Sequence, residues 1–199
     1  AYDDDAVRSI IDTSAERVAA PGWSNALSAK LVSLMIPGVP DVYQGSELWE
    51  QSLVDPDNRR FVDFDGRAGL LDSLGRGVDV SLTESADDPG AAKLLVTRAA
   101  LTRRRDRPEL FTTYAPVAAS GTAADHVLAF DRGGAVTVAT RLPVGLAVQG
   151  GWGTTALELP GGTWRDVITG AVATSSDDGP RLSEVLRSLP VALLVREDE

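Results

Sequence analysis

Between Ile36 and Val62 the chain gathers side chains that can hold a polar ligand: Tyr43, Gln44, Glu47, Trp49, Asp55, Asp57, Arg59 and Arg60, with Gly45 among them. Tyrosine joins a stacking ring to a hydroxyl, glutamine carries donor and acceptor together, and arginine facing a carboxylate forms bidentate pairs. Ile36-Pro37-Gly38 is a breaker signal in front of them. Val39 to Tyr43 then reads as a short extended run, and Gly45 allows a sharp turn out of it. Polar and aromatic residues just after a short buried strand are where α/β barrels place their sites. The same residues also suit a solvated loop with ordinary surface ion pairs. Within the loop, Glu47 reads as a buttress or a ligand contact and Asp57 as part of an ion-pair lattice. Asp55, Arg59 and Arg60 fit either the lattice or contacts to hydroxyls.

Other chemistry is sparse. The single histidine, His126, begins a candidate strand with no acidic neighbour at ligand spacing, which reads as structural rather than metal-binding. No glycine-rich phosphate loop, nucleophile elbow or dinucleotide fingerprint is present. Of the four tryptophans, Trp49 is the best stacking platform by position. Trp23 and Trp164 read as core, and Trp152 fits an exposed loop or packing on a sheet. Arg103, Arg104, Arg105 and Arg107 cluster where a helix should end, complementing its carbonyl end rather than forming a phosphate site.

The composition limits the partners. A net charge of −10 disfavours nucleic acid and anionic membranes, which require clustered positive charge. A neutral oligosaccharide is indifferent to that charge. No apolar run is long enough to cross a membrane. The absence of cysteine excludes disulfides and fits a reducing compartment. The chain opens on Ala1 and its one methionine is Met35, so a processed or excised piece of a longer protein is expected.

The elements that must position the loop follow from periodicity. Asp3-Asp4-Asp5 caps a helix predicted over residues 5–19, striped by Val7, Ile10, Ile11 and Val18, and Pro21-Gly22 is expected to break it. Ser24 opens a second helix carrying Leu27, Leu31, Leu34 and Met35. A short helix is predicted over 65–74, a polar turn-rich stretch over 83–90, and a longer helix from Pro89 to about Arg105, stopped by Pro108. Beyond Phe111 the period becomes 2. Residues 126–132 and 135–141 form a predicted hairpin about Gly133-Gly134, and 157–159 with 163–168 a second about Pro160-Gly161-Gly162. Short strands over 171–174 and 190–196 flank one helical turn at 182–186. The first half is thus α/β in class and the second all-β.

Pro37 to Glu47 resembles the eighth-strand motif of the α-amylase superfamily, G-x-P-x-x-Y-x-G-x-E. The continuation through Leu48-Trp49 and Ser52-Leu53-Val54-Asp55-Pro56-Asp57-Asn58-Arg59-Arg60 resembles the maltooligosyltrehalose synthase family more narrowly. Weaker likeness runs through residues 103–111, 164–170 and 189–194. The resemblance implies the last strand and helices of a (β/α)8 TIM barrel over residues 1–110, then an antiparallel carboxy-terminal β-sandwich over 111–199. One strand with three helices cannot close a barrel, so the remainder is expected upstream in the same polypeptide.

By the same resemblance the parent is a glucosylmutase that converts the reducing-end α-1,4 linkage of a maltodextrin to an α,α-1,1 linkage by intramolecular transglucosylation. Retaining chemistry of this kind uses two carboxyl groups about 5–5.5 Å apart. The superfamily takes its carboxylates from the fourth, fifth and seventh strands, and none of those motifs occurs here. Asp41 and Glu47 match no catalytic position, so the fragment itself is expected to be inactive. Tyr43, Gln44, Gly45, Glu47, Trp49, Asp55, Asp57, Arg59 and Arg60 are the expected wall of a maltooligosaccharide site. No cofactor, metal, nucleic acid or membrane is expected, and the location implied is cytoplasmic. Alternatives are another hydrolase or isomerase of the superfamily, or a non-catalytic carbohydrate-binding or interaction module. In an isolated fragment, apolar faces at Ile10, Leu31 and Leu95 are expected to lie exposed.

Overall fold

The structure, a computed structural model, describes residues 4–49, 54, 59–75, 90–175 and 178–197. It opens with a helix, α1, spanning Asp5–Met35. Asp4 caps it, its carboxylate accepting from the Ala6 and Val7 amides at 2.9 and 3.4 Å. The break expected at Pro21-Gly22 does not occur, and Pro21 sits inside one continuous helix. A proline there forfeits one hydrogen bond and crowds the preceding turn, at about 3 kcal/mol. Helix-favouring Ala19 and Ala20 precede it, and packing fixes the second half, where Leu27, Leu31, Leu34 and Met35 are fully buried. The first half has no such cover: residues 5–20 are exposed except for half-buried Val7. Of the faces expected to be bare, Ile10 is 67% exposed, whereas Leu31 is buried and Leu95 half-buried because the β region covers them.

After α1 the chain runs irregularly. Val39 to Tyr43 is not a strand, and Val39 is almost fully exposed. An extended segment becomes a strand only when a neighbour satisfies its backbone groups, and no described strand lies beside it. Helix α2, Phe64–Gly75, matches the predicted short helix within a residue at each end and buries Leu74. The polar stretch over 83–89, including Pro89, lies outside the described residues. Helix α3, Ala91–Asp106, follows Gly90 and lays Ala92, Val96 and Ala100 against α1. Pro108 ends it and begins a single 3-10 turn to Phe111.

The rest is chiefly β. Strands β1 (Ala115–Pro116), β3 (Val127–Asp131), β4 (Ala135–Thr140), β6 (Gly162–Asp166), β7 (Val172–Ser175) and β8 (Val191–Arg196) form one antiparallel sheet in the order β1-β3-β4-β8-β6-β7. Strands β2 (Ala119–Ser120) and β5 (Ala156–Leu157) form a separate ribbon. Two short helices, α4 (Pro143–Val148) and α5 (Leu182–Val185), lie among the strands, and α4 is not expected from the sequence pattern. Every residue of β4 is buried, because both faces of the sheet are covered. Phe130, Ala135, Ala139, Val191 and Leu193 pack against α1 and α3. Alternate residues Ala129, Val136, Val138, Ala192 and Leu194 join Leu157, Trp164, Leu182 and Val185 in a second cluster.

The first predicted hairpin forms, with Ala135 to Thr140 paired to Val127 to Asp131. Its turn is set by Asp131, whose carboxylate accepts from the Gly133 and Gly134 amides at 3.0 and 2.8 Å. The second predicted hairpin does not form. Strand β5 pairs with β2, and β6 pairs with β7 and β8. Proline 160 supplies no amide to a ladder, and the Glu158 amide is already spent on the Ala118 carbonyl at 2.8 Å. Among the described residues no helix is long and apolar enough to cross a membrane.

Candidate functional site

The candidate loop leaves the carbonyl end of α1, so the groups that hold that end also aim the loop. The last turn of α1 contains no basic residue of its own. Two arginines from elsewhere supply the donors its carbonyls lack. Arg104, on α3, donates to the Leu34 carbonyl at 2.6 Å and the Gly38 carbonyl at 2.7 Å. Arg132, in the β3–β4 turn and 6% exposed, donates to the carbonyls of Met35, Phe111 (2.9 Å) and Thr113 (2.7 Å). Burial, and secondarily the charge of Arg104, lowers the Arg132 guanidinium from its ordinary value. Of the arginine cluster assigned above to the end of its own helix, Arg104 serves the end of a different one.

From Tyr43 the loop tightens. The Ser46 amide and hydroxyl both donate to the Tyr43 carbonyl, at 3.1 and 2.7 Å. Gly45 closes this turn at φ 84° and is buried, in a region where a side chain is costly. Tyr43 and Gln44 stand exposed at its crest. Glu47 turns back toward α2, where Arg67 Nε lies 2.6 Å from Glu47 Oε1 and both side chains are 20% exposed. Arg67 also reaches the Asp63 carbonyl at 3.1 Å and the Gly45 carbonyl at 3.4 Å.

The only two lysines of the chain both converge here. Lys30, on α1, places Nζ 3.5 Å from Ser46 Oγ. Burial lowers its pKa from the ordinary 10.5, opposed by the charges of Glu47 and Asp41. Lys93, on α3, donates to the Leu48 carbonyl at 2.7 Å and holds Nζ 5.7 Å from the Trp49 ring centre. Trp49 also packs on Trp23, with ring centres 4.4 Å apart. A Cβ at Gly90 would lie 2.9 Å from the Trp49 amide nitrogen, so that approach requires glycine.

Tyr43, Gln44, Gly45, Glu47 and Trp49 share one short segment by sequence, with Tyr43 and Gln44 exposed, Glu47 facing Arg67 and Trp49 packed on Trp23. Arg59 and Arg60 are exposed in the next described stretch, while Asp55 and Asp57 lie outside the described residues. The arrangement offers a phenol and an amide to solvent beside a fixed carboxylate, two ammonium groups and a guanidinium. That set can hydrogen-bond a hydroxyl-rich ligand. Lys30, Arg67, Lys93 and Arg132 were not singled out from sequence, and Arg104 was assigned only to the end of its own helix. The one available signal was that lysine occurs only at positions 30 and 93.

The remaining candidates are structural in their contacts. His126 Nδ1 lies 3.1 Å from the Leu142 carbonyl, and no metal-binding group of side chains is found among the described residues. Trp164 is buried and donates to the Pro160 carbonyl at 3.1 Å, and Trp152 packs half-buried on the second core cluster.

No protein-family model matches the chain. A curated protein of Mycobacterium tuberculosis described as a putative maltooligosyl trehalose synthase is 49% identical over 178 residues, covering 88% of this chain and 21% of its own length. The solved maltooligosyltrehalose synthase of Arthrobacter ramosus is 49% identical, with a TM-score of 0.89, over 96% of this chain and 24% of that one. The chain is homologous to part of maltooligosyltrehalose synthase. It spans only about a fifth to a quarter of the length of these relatives. A further maltooligosyltrehalose synthase crystal structure, 22% identical with a TM-score of 0.61, shares the fold alone.

Proposed function

We propose that the chain is the carboxy-terminal part of a maltooligosyltrehalose synthase, an intramolecular glucosyltransferase of the α-amylase superfamily. Residues 1–110 close a (β/α)8 barrel contributed mainly by earlier sequence, and residues 111–199 form the β-sandwich domain behind it. The reading is carried by the 49% identity with the Arthrobacter ramosus synthase along nearly the whole chain. It is supported by the unladdered run from Val39 to Tyr43, exposed at alternate residues Val39, Asp41 and Tyr43, which suits an eighth strand awaiting neighbours. The bare faces of Ile10, Val18 and Phe61 suit the same cover.

The proposed site wall is Tyr43, Gln44, Gly45, Glu47, Trp49, Asp55, Asp57, Arg59 and Arg60. Tyr43 stacks on a glucose ring and Gln44 bonds its hydroxyls, while Glu47, Arg67 and Lys30 hold the turn that presents them. The nucleophile and the acid/base come from earlier strands, so this chain alone is inactive; the complete protein needs no cofactor and works in the cytoplasm on maltodextrins. The test is incubation with maltopentaose, followed by chromatography for a trehalose-terminated product. The complete protein is expected to form it and the 199-residue chain is not. Product from the short chain would overturn the assignment of the carboxylates, and none from the complete protein would overturn the activity.

A further inference from the structure

Away from the loop, a cleft of about 670 Å3 opens where α3 meets the sheet. Four of its lining side chains are arginines from three separate places: Arg103 at the end of α3 and Arg107 just beyond it, Arg165 on β6 and Arg196 on β8. Among the described residues Glu197 is the one carboxylate in the lining. Such a concentration is unexpected in a chain of net charge −10, because like charges held in one concavity raise its potential and repel one another. The sequence cluster at 103–107 showed only half of it; the other half arrives with the sheet.

The partners seen among the described residues are exchangeable. Arg165 pairs with Glu197, Nε to Oε1 at 2.5 Å, and donates to the Gly170 carbonyl at 3.1 Å. Arg107 pairs with Glu109, and Arg196 reaches the Gly161 carbonyl at 3.1 Å. Asp106 is held below its ordinary value chiefly by its hydrogen bond to Arg105, with a smaller contribution from the charge of Arg103. The Arg107 and Arg165 side chains are 52% and 45% exposed, and ion pairs so placed contribute little and yield readily to a better acceptor.

We propose that this cleft binds a small, multiply charged anion of the phosphate-ester or pyrophosphate class. Guanidinium forks match phosphate oxygens bidentately, and an anion carrying several oxygens can bridge several arginines, whereas Glu197 is seen to engage Arg165. Glu197 then acts as an internal competitor for Arg165. The site is independent of the saccharide loop and does not rest on the function proposed above.

The test is an amide and arginine-side-chain NMR titration of the 199-residue chain with sodium pyrophosphate. The expected result is saturable shifts confined to Arg103, Arg107, Gly134, Arg165 and Arg196. Affinity should fall about tenfold in an Arg165→Gln/Arg196→Gln double variant and rise in Glu197→Gln. Circular dichroism checks the fold of each variant, and if the double variant unfolds, Glu197→Gln alone decides. No saturable shift in the unaltered chain overturns the proposal. So does unchanged affinity in either variant, or shifts spread equally to arginines outside the cleft such as Arg141 and Arg187.

Discussion

Replacing Arg132 with methionine removes three donors while keeping a side chain of similar length. The carbonyls of Met35, Phe111 and Thr113 each lose a guanidinium hydrogen bond, joining the end of α1, the 3-10 turn and the approach to β1. At about 1–1.5 kcal/mol each, the bonds sum to roughly 3–4.5 kcal/mol. Release of a guanidinium that is only 6% exposed returns part of this, since a buried charge carries a desolvation cost. The net expectation is a loss of about 3 kcal/mol, or about 6–12 °C in Tm for a chain of this length. Urea unfolding followed by circular dichroism measures the first quantity and a thermal scan the second. Arg132→Lys keeps the charge but cannot reach three acceptors with one ammonium, so it should fall between methionine and arginine. A methionine variant within about 1 kcal/mol of the parent refutes the reasoning, because the carbonyls would then be satisfied without Arg132. Lysine equal to arginine would show that charge rather than the fork matters.

Three further outcomes follow from the site and the sheet. Gly45→Ala places a Cβ at φ 84° and should cost about 1–2 kcal/mol by urea unfolding; a neutral effect would mean that the turn has another conformation. A double-mutant cycle on Glu47→Gln and Arg67→Ala should give a coupling of about 1–2 kcal/mol, above the exposed-pair range because both groups are four-fifths buried; coupling below about 0.5 kcal/mol rejects the buttress. Asp166 is buried and accepts from the Ile168, Thr169 and Leu193 amides and the Thr169 hydroxyl. Burial pushes its carboxyl up and those donors oppose the rise. Asp166→Asn turns an amide NH2 toward two of them and should destabilise by about 2–3 kcal/mol; a calorimetric Tm matching the parent would contradict this.

Periodicity and turn chemistry are local, and they located what local interactions decide. Alternation from Val127 to Thr140 about Gly133-Gly134 gave the first hairpin almost residue for residue. The same device about Pro160-Gly161-Gly162 misled, since strand partners there are chosen by distant segments, Ala119-Ser120 for β5 and Val191 to Arg196 for β8 against β6. Pro21 misled in the opposite sense: its local penalty is real but is outweighed over a long helix whose second half is anchored by Leu27 to Met35. At the candidate site the loop residues were visible as a run, while the groups that hold it were not. Lys30, Arg67, Lys93 and Arg104 lie between 16 and 70 residues from the atoms they contact, and sequence spacing carries no mark of such pairings.

Pro21 also divides α1 dynamically. Its ring nitrogen cannot bond the Arg17 carbonyl, so one rung is missing between an uncovered stretch and a packed one. Helix propagation must cross that gap to reach residues 5–20, which have almost no side-chain burial to stabilise them and are near the length at which an isolated helix is marginal. Amide protons before Pro21 therefore exchange through local fraying, at free energies far below global unfolding. Those from Ser24 to Met35 exchange only with the sheet they pack against. One helix by geometry is two units by cooperativity, and the boundary falls at the residue that sequence alone marked as a break.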